Sequence, residues 1–424
     1  MQVTPTIPEP DCAAPESSGP ELQRNLILSV SDVTCFSLMV GMAESFFPAY
    51  VLELGGGEIA SGLVTTGPLL TGAILQLVTP WAVSRLNSHR SWVVITAVLQ
   101  ACSVLLLPLA AWFGTAGVPL VFAAVTGYWA AGMSSSPAWN TWIESIVPRE
   151  IRTRFFALRV RIAQAAQLLG FLIAGFGLQY GKQQSQPLFW FTLVFLLSAA
   201  GRFLSAVLLA CQSERPTQRL PDRALSLRSL IRPNATPGGG RLLIYLFAVQ
   251  VAVYISGPYF VPFMFKHMHV EYRDYALLMG LNFIGKVVAM RLWGRFAQRY
   301  GALRLLWVGG LAIIPISGLW MISQAYWFLA CVQFTGGIMW AAYELAFFLL
   351  FFETIPRDER TGVLTVYNLG NSAAQVAGAL LGALWLKSVG HEYDNYLYLF
   401  FASSVARVAA ALLLPRQRLS LSDK

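Results

Sequence analysis

Runs of about twenty apolar residues recur from residue 27 to residue 414, separated mostly by short polar links. A run of that length crosses ~30 Å of hydrocarbon at about 1.5 Å rise per residue. Backbone polar groups have no water to bond in that medium, so an apolar run crosses it as a helix. A large soluble helical protein is the rival reading, and the charge content decides against it. Asp, Glu, Lys and Arg make up 12% of the 424 residues, against roughly 25% in soluble globular domains. We read twelve spans at roughly 27–52, 60–82, 91–112, 118–141, 158–180, 187–210, 242–265, 274–294, 302–322, 326–352, 362–386 and 394–414. The one long link, 212–240, is rich in Pro, Gly and Arg and divides the spans into two sets of six. The expected organisation is a tail (1–25), a first six-helix half (26–211), a central loop (212–240), a second half (241–415) and a short tail (416–424). The first tail holds Pro, Ser and Glu, lacks the pattern of a cleavable signal, and is expected to be disordered.

Basic residues are spread unevenly over the links. With the N-terminus placed inside, 23 of the 30 Lys and Arg residues fall in inner segments or at the inner ends of spans. Four fall outside: Lys182, Lys266, Arg273 and Lys387. A bias of that size predicts both termini on the cytoplasmic face of the cell (inner) membrane. It also explains the net charge of +9 without nucleic acid, for which no binding motif is present. The five cysteines stand singly, with no metal-ligand spacing.

The chain repeats itself. Pro148-Arg149-Glu150-Ile151-Arg152-Thr153 returns as Pro356-Arg357-Asp358-Glu359-Arg360-Thr361, at an offset of 208. The same offset brings Ala165-Ala166-Gln167 and Gly170 onto Ala373-Ala374-Gln375 and Gly378, for eight identities in 23 ungapped positions. Two apolar helices match by chance more easily than a polar loop does, so the repeat is read as a duplication. It predicts two parallel repeats related by an axis along the membrane normal.

This arrangement resembles the major facilitator superfamily over about residues 25–415. The signature loop of that family, Gly-x-x-x-Asp-Arg-x-Gly-Arg-Arg, is followed in the second half by Gly294-Arg295-Phe296-Ala297-Gln298-Arg299-Tyr300-Gly301, with Gln298 in the acid's place. In the first half, the stretch from Pro80 to Arg90 keeps only the arginines. The segments MVGMAESFFPAY (39–50) and PAWNTWIESIVPREIRTRFFALR (137–159) look like a bacterial branch of unassigned substrate. The resemblance implies an all-α membrane protein of twelve transmembrane helices in two six-helix halves, with spans 1 and 10 lining a central cavity.

Charged residues within spans are the candidates for chemistry, since each costs about 2.5–3.5 kcal/mol at the bilayer centre on insertion scales. Glu44 follows Gly41 and precedes Pro48, both of which loosen a helix. Glu344 in span 10 and Lys286 in span 8 complete the set, with Lys286 expected to pair with Glu44 or Glu344 or to hold an anionic solute. Asn282, Trp129, Trp340, Tyr343, Gln167, Gln375 and Tyr254 are the polar and aromatic residues expected to line the same cavity; helix packing is the competing role of each. Asp32, at the inner start of span 1, is expected to pair with loop arginines such as Arg152 in an inner gate, with Arg85, Arg149, Arg299, Arg357 and Arg360. Arg202 and Arg407 stand at equivalent places in spans 6 and 12 and are expected to snorkel or pair structurally. Gly170, Gly378 and Gly382 read as close helix contacts.

The expected function is secondary active transport of a small solute, with protons as the coupling ion. The partners are the solute and the lipid bilayer, and the chain is expected to act as a monomer without cofactor or metal. There is no nucleotide-binding loop and no hydrolase motif. The alternative is a transporter-like fold used as a lipid scramblase, sensor or scaffold.

Overall fold

The computed structural model describes residues 19–214, 239–354 and 360–414, with the side chains of 149, 153, 239–241, 351–354 and 360–366 excepted. Among the described residues there is no strand. Eight helical segments among those residues are long and apolar enough to cross a membrane. One of them, His89–Ile146, bends at Gly114 (φ 53, ψ −129), and the arms on either side pack against each other. Large apolar side chains such as Leu197, Val207, Val287, Leu384 and Val408 face outward. A soluble monomer rarely exposes so much apolar surface.

The helices are α1 (Gly19–Ala43), α2 (Phe47–Glu53), α3 (Glu58–Leu63), α4 (Gly67–Leu75), α5 (Thr79–Leu86), α6 (His89–Ala110), α7 (Val118–Ile146), α8 (Arg149–Gln183) and α9 (Pro187–Ala210). After the central segment come α10 (Gly239–Ser256), α11 (Tyr272–Tyr300), α12 (Ala302–Ala312), α13 (Tyr326–Thr354), α14 (Arg360–Val389) and α15 (Tyr393–Ala411).

Small residues set the closest crossings. A Cβ on Gly41 would collide with the Gln167 carbonyl, and one on Gly170 with the Leu38 carbonyl, so α1 and α8 touch backbone to backbone. α10 and α14 meet in the same way, with Gly378 against the Val251 carbonyl and Gly382 against that of Ile255. Gly170 and Gly378 are the pair matched by the 208-residue offset, so the repeat is one of packing as well as sequence. Helices before and after the central segment meet where α8 packs on α11 and α4 on α14.

Local chemistry fixes the ends. Ser88 caps α6 by accepting from the Ser91 N–H at 2.9 Å. The Glu214 carboxylate sits at the same helix start and accepts from the His89 and Arg90 N–H groups at 2.7 and 3.1 Å. An acid there meets the helix dipole and unpaired donors together, and it ties the chain after α9 to the start of α6.

Candidate functional site

The first helix is broken at Glu44. Pro48 has no N–H to offer the Glu44 carbonyl four residues back, and the Phe47 N–H takes that carbonyl instead in a 3₁₀ turn spanning Glu44–Phe46. The turn sets the Glu44 side chain against α7, where the Tyr128 hydroxyl donates to Oε2 at 2.9 Å. The carbonyl of the next residue, Ser45, accepts from the Tyr275 hydroxyl of α11 at 3.2 Å. Glu44 thus sits where helices from both sides of the central segment approach. A matching break, the 3₁₀ turn Gly257–Tyr259 with Pro258, follows α10.

A second polar cluster lies within the first half. Asp32 is 3% exposed, and its Oδ1 accepts from the Ser205 hydroxyl at 2.6 Å. Ser205 in turn accepts from Arg202 Nη1 at 2.6 Å, and Arg202 Nε donates to Gln100 Oε1 at 2.8 Å. Gln100 Nε2 donates to the Tyr128 carbonyl at 3.3 Å, which joins this cluster to the helix carrying the partner of Glu44. On its other side Asp32 faces Arg159 Nη2 at 3.5 Å. The ionic partner of Asp32 is therefore Arg159, about two turns further along α8 than Arg152. Arg152 donates to the Glu144 and Val147 carbonyls at 2.8 and 3.1 Å, closing the end of α7. Beside the cluster lies a cavity of about 350 Å³ bordered by Asp32, Arg159, Arg202, Trp139 and Gln167.

In the second half, Lys286 of α11 donates to Glu344 of α13 at 2.7 Å. This pair is open to its surroundings, with side chains 30% and 49% exposed. Asn282 donates to the Gln333 carbonyl at 3.1 Å, which is a helix-to-helix bond. Trp340 packs edge-on to Tyr343. The Tyr343 hydroxyl and Gln375 Oε1 are buried without a hydrogen-bond partner among the described residues. Trp129 packs edge-on to Tyr128, and Gly72 lies against its backbone. Arg202 and Arg407 are 4% and 5% exposed, so neither snorkels; Arg407 Nη1 donates to the Ile313 carbonyl at 2.7 Å. Arg85 and Arg299 are exposed. Arg357 lies outside the described residues, and so do the side chains of Arg149 and Arg360.

Sequence reasoning passes over Tyr128, Gln100, Arg159 and Ser205, and also a set of ties at the end of the bundle away from the termini. There the Tyr272 hydroxyl donates to Glu53 at 2.8 Å and the Tyr275 hydroxyl to the Ser45 carbonyl at 3.2 Å. The Tyr396 hydroxyl donates to Glu58, whose carboxylate also faces His391 at 3.3 Å and His267 at 3.7 Å. Each tie joins a residue before the central segment to one after it.

The model of the Major Facilitator Superfamily matches residues 33–249 and 242–422. The chain belongs to this superfamily. It is a non-enzymatic transporter by that membership. A curated relative, a probable peptide/nitrate transporter of Arabidopsis thaliana, is 28% identical over 101 residues, which is 22% of this chain and 21% of that protein. Among solved structures, a point mutant of the nucleoside transporter NupG aligns over 92% of this chain and 98% of its own, at 13% identity and TM-score 0.72. A bacterial homologue of the iron transporter ferroportin in its inward-facing state aligns over 94% and 98%, at 16% identity and TM-score 0.67. A D-xylose–proton symporter aligns over 91% and 97%, at 15% identity and TM-score 0.67. These likenesses bear on the fold.

Proposed function

We propose that the chain is a twelve-span secondary transporter that moves a small solute by alternating access, with Glu44 carrying the coupling proton. The span count follows when the two arms of His89–Ile146 are taken separately and the stretch 302–321, α13 and α15 are each added as one crossing. The two halves then rock about a site near the midplane. Both termini lie on the cytoplasmic side of the inner membrane by the bias in basic residues, and one chain suffices for a pathway between the halves.

On this orientation the tyrosine–acid ties lie at the outer face, which supports an inward-facing conformation. The ferroportin homologue agrees in direction: its inward-facing form aligns at TM-score 0.67 and its outward-facing form at 0.61. Opening to the outside requires Tyr272, Tyr275 and Tyr396 to leave Glu53, Ser45 and Glu58. The Pro-Arg-x-x-Arg-Thr loops, Arg85 and Arg299 would then close the inner face. The exposed Lys286–Glu344 pair belongs to the wall that this motion covers and uncovers.

The observation that carries the reading is the placement of Glu44. A break in the helix places one carboxylate against a tyrosine of α7, and the next residue, Ser45, accepts from Tyr275 of α11, so the site lies where the two halves meet. Its neighbour is a hydroxyl, and a hydroxyl can bond to either form of the carboxyl group. Loading or releasing a proton there changes the charge that both halves face, which is what coupling needs. The test is uptake into proteoliposomes of a solute found by thermal-shift screening, with and without an inward proton gradient. Flux should follow the gradient in the wild type and lose that dependence in Glu44→Gln. Flux indifferent to both ends the proton part, and a ligand that binds but never crosses ends the transporter part.

A further inference from the structure

The cavity beside the buried cluster carries more positive charge than its partners neutralise. Arg202 is engaged: Nε bonds Gln100, Nη1 bonds Ser205, and the Ser205 hydroxyl donates to Asp32. Its guanidinium also lies 4.7 Å from the centre of the Phe36 ring. One carboxylate, Asp32, thus faces two guanidinium groups: Arg159 directly and Arg202 through Ser205. Two cations on one carboxylate leave one positive charge over. The Arg159 contact to Asp32 is 3.5 Å, longer than the ~2.7–2.9 Å of a charge-assisted bond. Arg159 Nε has no partner among the described residues, although a guanidinium offers five donors. The ring it lies on, Trp139 at 4.0 Å, also has an unpartnered buried Nε1. Arg159 and Trp139, each with an unpartnered buried donor, border with Asp32 and Arg202 one cavity of about 350 Å³, within the size of small-molecule sites.

We propose that this cavity, between α1, α6, α7, α8 and α9, binds a small organic anion through Arg159. A buried charge without a counter-ion is costly, and a bound anion removes that cost. Beyond the charged groups, Val33, Val93, Ala163 and Leu209 line the space, so an apolar body fits behind the charge. The class is a monocarboxylate with an apolar or aromatic body. Gln167, which borders the same cavity, offers an amide to the carboxylate or to a polar substituent. The proposal rests on the transporter reading only for the claim that the bound anion is cargo.

Equilibrium binding of radiolabelled benzoate to the purified full-length chain tests it, with competition by unlabelled benzoate, benzamide and inorganic phosphate. Benzoate should bind saturably and self-compete, with benzamide and phosphate each at least tenfold weaker. Arg159→Gln should weaken benzoate at least tenfold, and Arg159→Lys should fall between it and the wild type. Equal competition by benzoate and benzamide, or an Arg159→Gln protein that binds as the wild type does, overturns the anion site. Phosphate equal to benzoate overturns the apolar-body claim. The ligand comparison on the wild type stands even where a variant fails to fold. Uptake of benzoate into proteoliposomes separates the two readings: binding without flux removes the cargo claim and leaves the site.

Discussion

Arg202 and Arg407 occupy matching places in the two halves, each after a run of small residues, and both are buried. Their surroundings differ. Arg202 sits in a chain of side chains that runs from Gln100 through Ser205 to Asp32 and on to Arg159. Arg407 has the Ile313 carbonyl for its Nη1, and its Nε has no partner among the described residues. The same contrast holds elsewhere. The first half sets its in-span acids, the buried Asp32 and the half-buried Glu44, against hydroxyls and guanidinium groups. In the second half the in-span ion pair Lys286–Glu344 is exposed. A duplicated scaffold has kept its glycine crossings in both halves, while among the described residues the network of buried charges stands in the first. Packing is a demand on both copies; a binding or coupling centre is needed once.

That contrast can be broken most sharply at the arginines. Arg202→Leu removes the buried cation that reaches Asp32 through Ser205 and leaves that carboxylate the Ser205 hydroxyl and the long Arg159 contact; breaking up a buried charge cluster costs roughly 3–5 kcal/mol. Arg407→Leu takes away a bond to a backbone carbonyl and should cost about 1–3 kcal/mol. Thermal unfolding of the purified variants should place Arg202→Leu well below Arg407→Leu. Adding Asp32→Asn to Arg202→Leu should recover part of the loss, because it removes the stranded charge. Equal losses at the two arginines would mean that the cluster is ordinary packing.

The fold is readable in the sequence because its signals are long or duplicated. Apolar runs mark the helices, and a polar loop motif returning after 208 residues marks the repeat. Gly170 and Gly378 then fall on equivalent crossings. The site is readable only in part. Glu44 and Asp32 stand out as acids in apolar surroundings, but their partners do not. Tyr128 looks like any membrane tyrosine, and its neighbour Trp129 has the larger ring. Arg159 starts a span and reads as an orientation charge, which matches Asp32 to loop arginines instead. A signal is available: Arg202 needs an acid, and Asp32 and Glu44 are the acids within spans of its half. The outer ties are out of reach. Glu53 and Glu58 lie near a link, and the tyrosines that reach them stand more than two hundred residues further along the chain.

The next comparison is between the half-buried acid, Glu44, and the exposed one, Glu344. Glu44→Gln should cut gradient-driven uptake at least tenfold while leaving exchange of solute down its own gradient. Glu344→Gln should leave the dependence on the proton gradient in place. If both variants lose it equally, coupling is spread over the two halves and their structural asymmetry does not extend to function. The outer ties come next in size. Tyr272→Phe and Tyr396→Phe each remove a hydroxyl bonded to a carboxylate, worth about 1.5–3 kcal/mol for a hydrogen bond to a charged group. Each should shift the population toward the outward-open form by roughly ten-fold or more. Accessibility of a cysteine placed between the ties to an impermeant thiol reagent reads that shift directly. Unchanged labelling would mean that the apolar contacts around Phe46, Phe171 and Tyr275 hold the outer face without them.

The smallest effect is expected at the exposed pair. Lys286 and Glu344 are 30% and 49% exposed, and an ion pair open to water contributes about 0–1 kcal/mol. Lys286→Gln should therefore lower stability by no more than about 1 kcal/mol, with raised salt in the wild type having an effect of similar size. The measurement also decides what the pair faces. An exposed pair inside a transporter meets either water in the pathway or lipid at the rim. In lipid, the charge left on Glu344 would cost several kilocalories and the loss would rival that of Arg202→Leu. A small, salt-sensitive loss puts the pair on the wet wall between the halves, where a moving gate can use it. A large, salt-insensitive one puts it on the outer surface and removes it from the transport pathway.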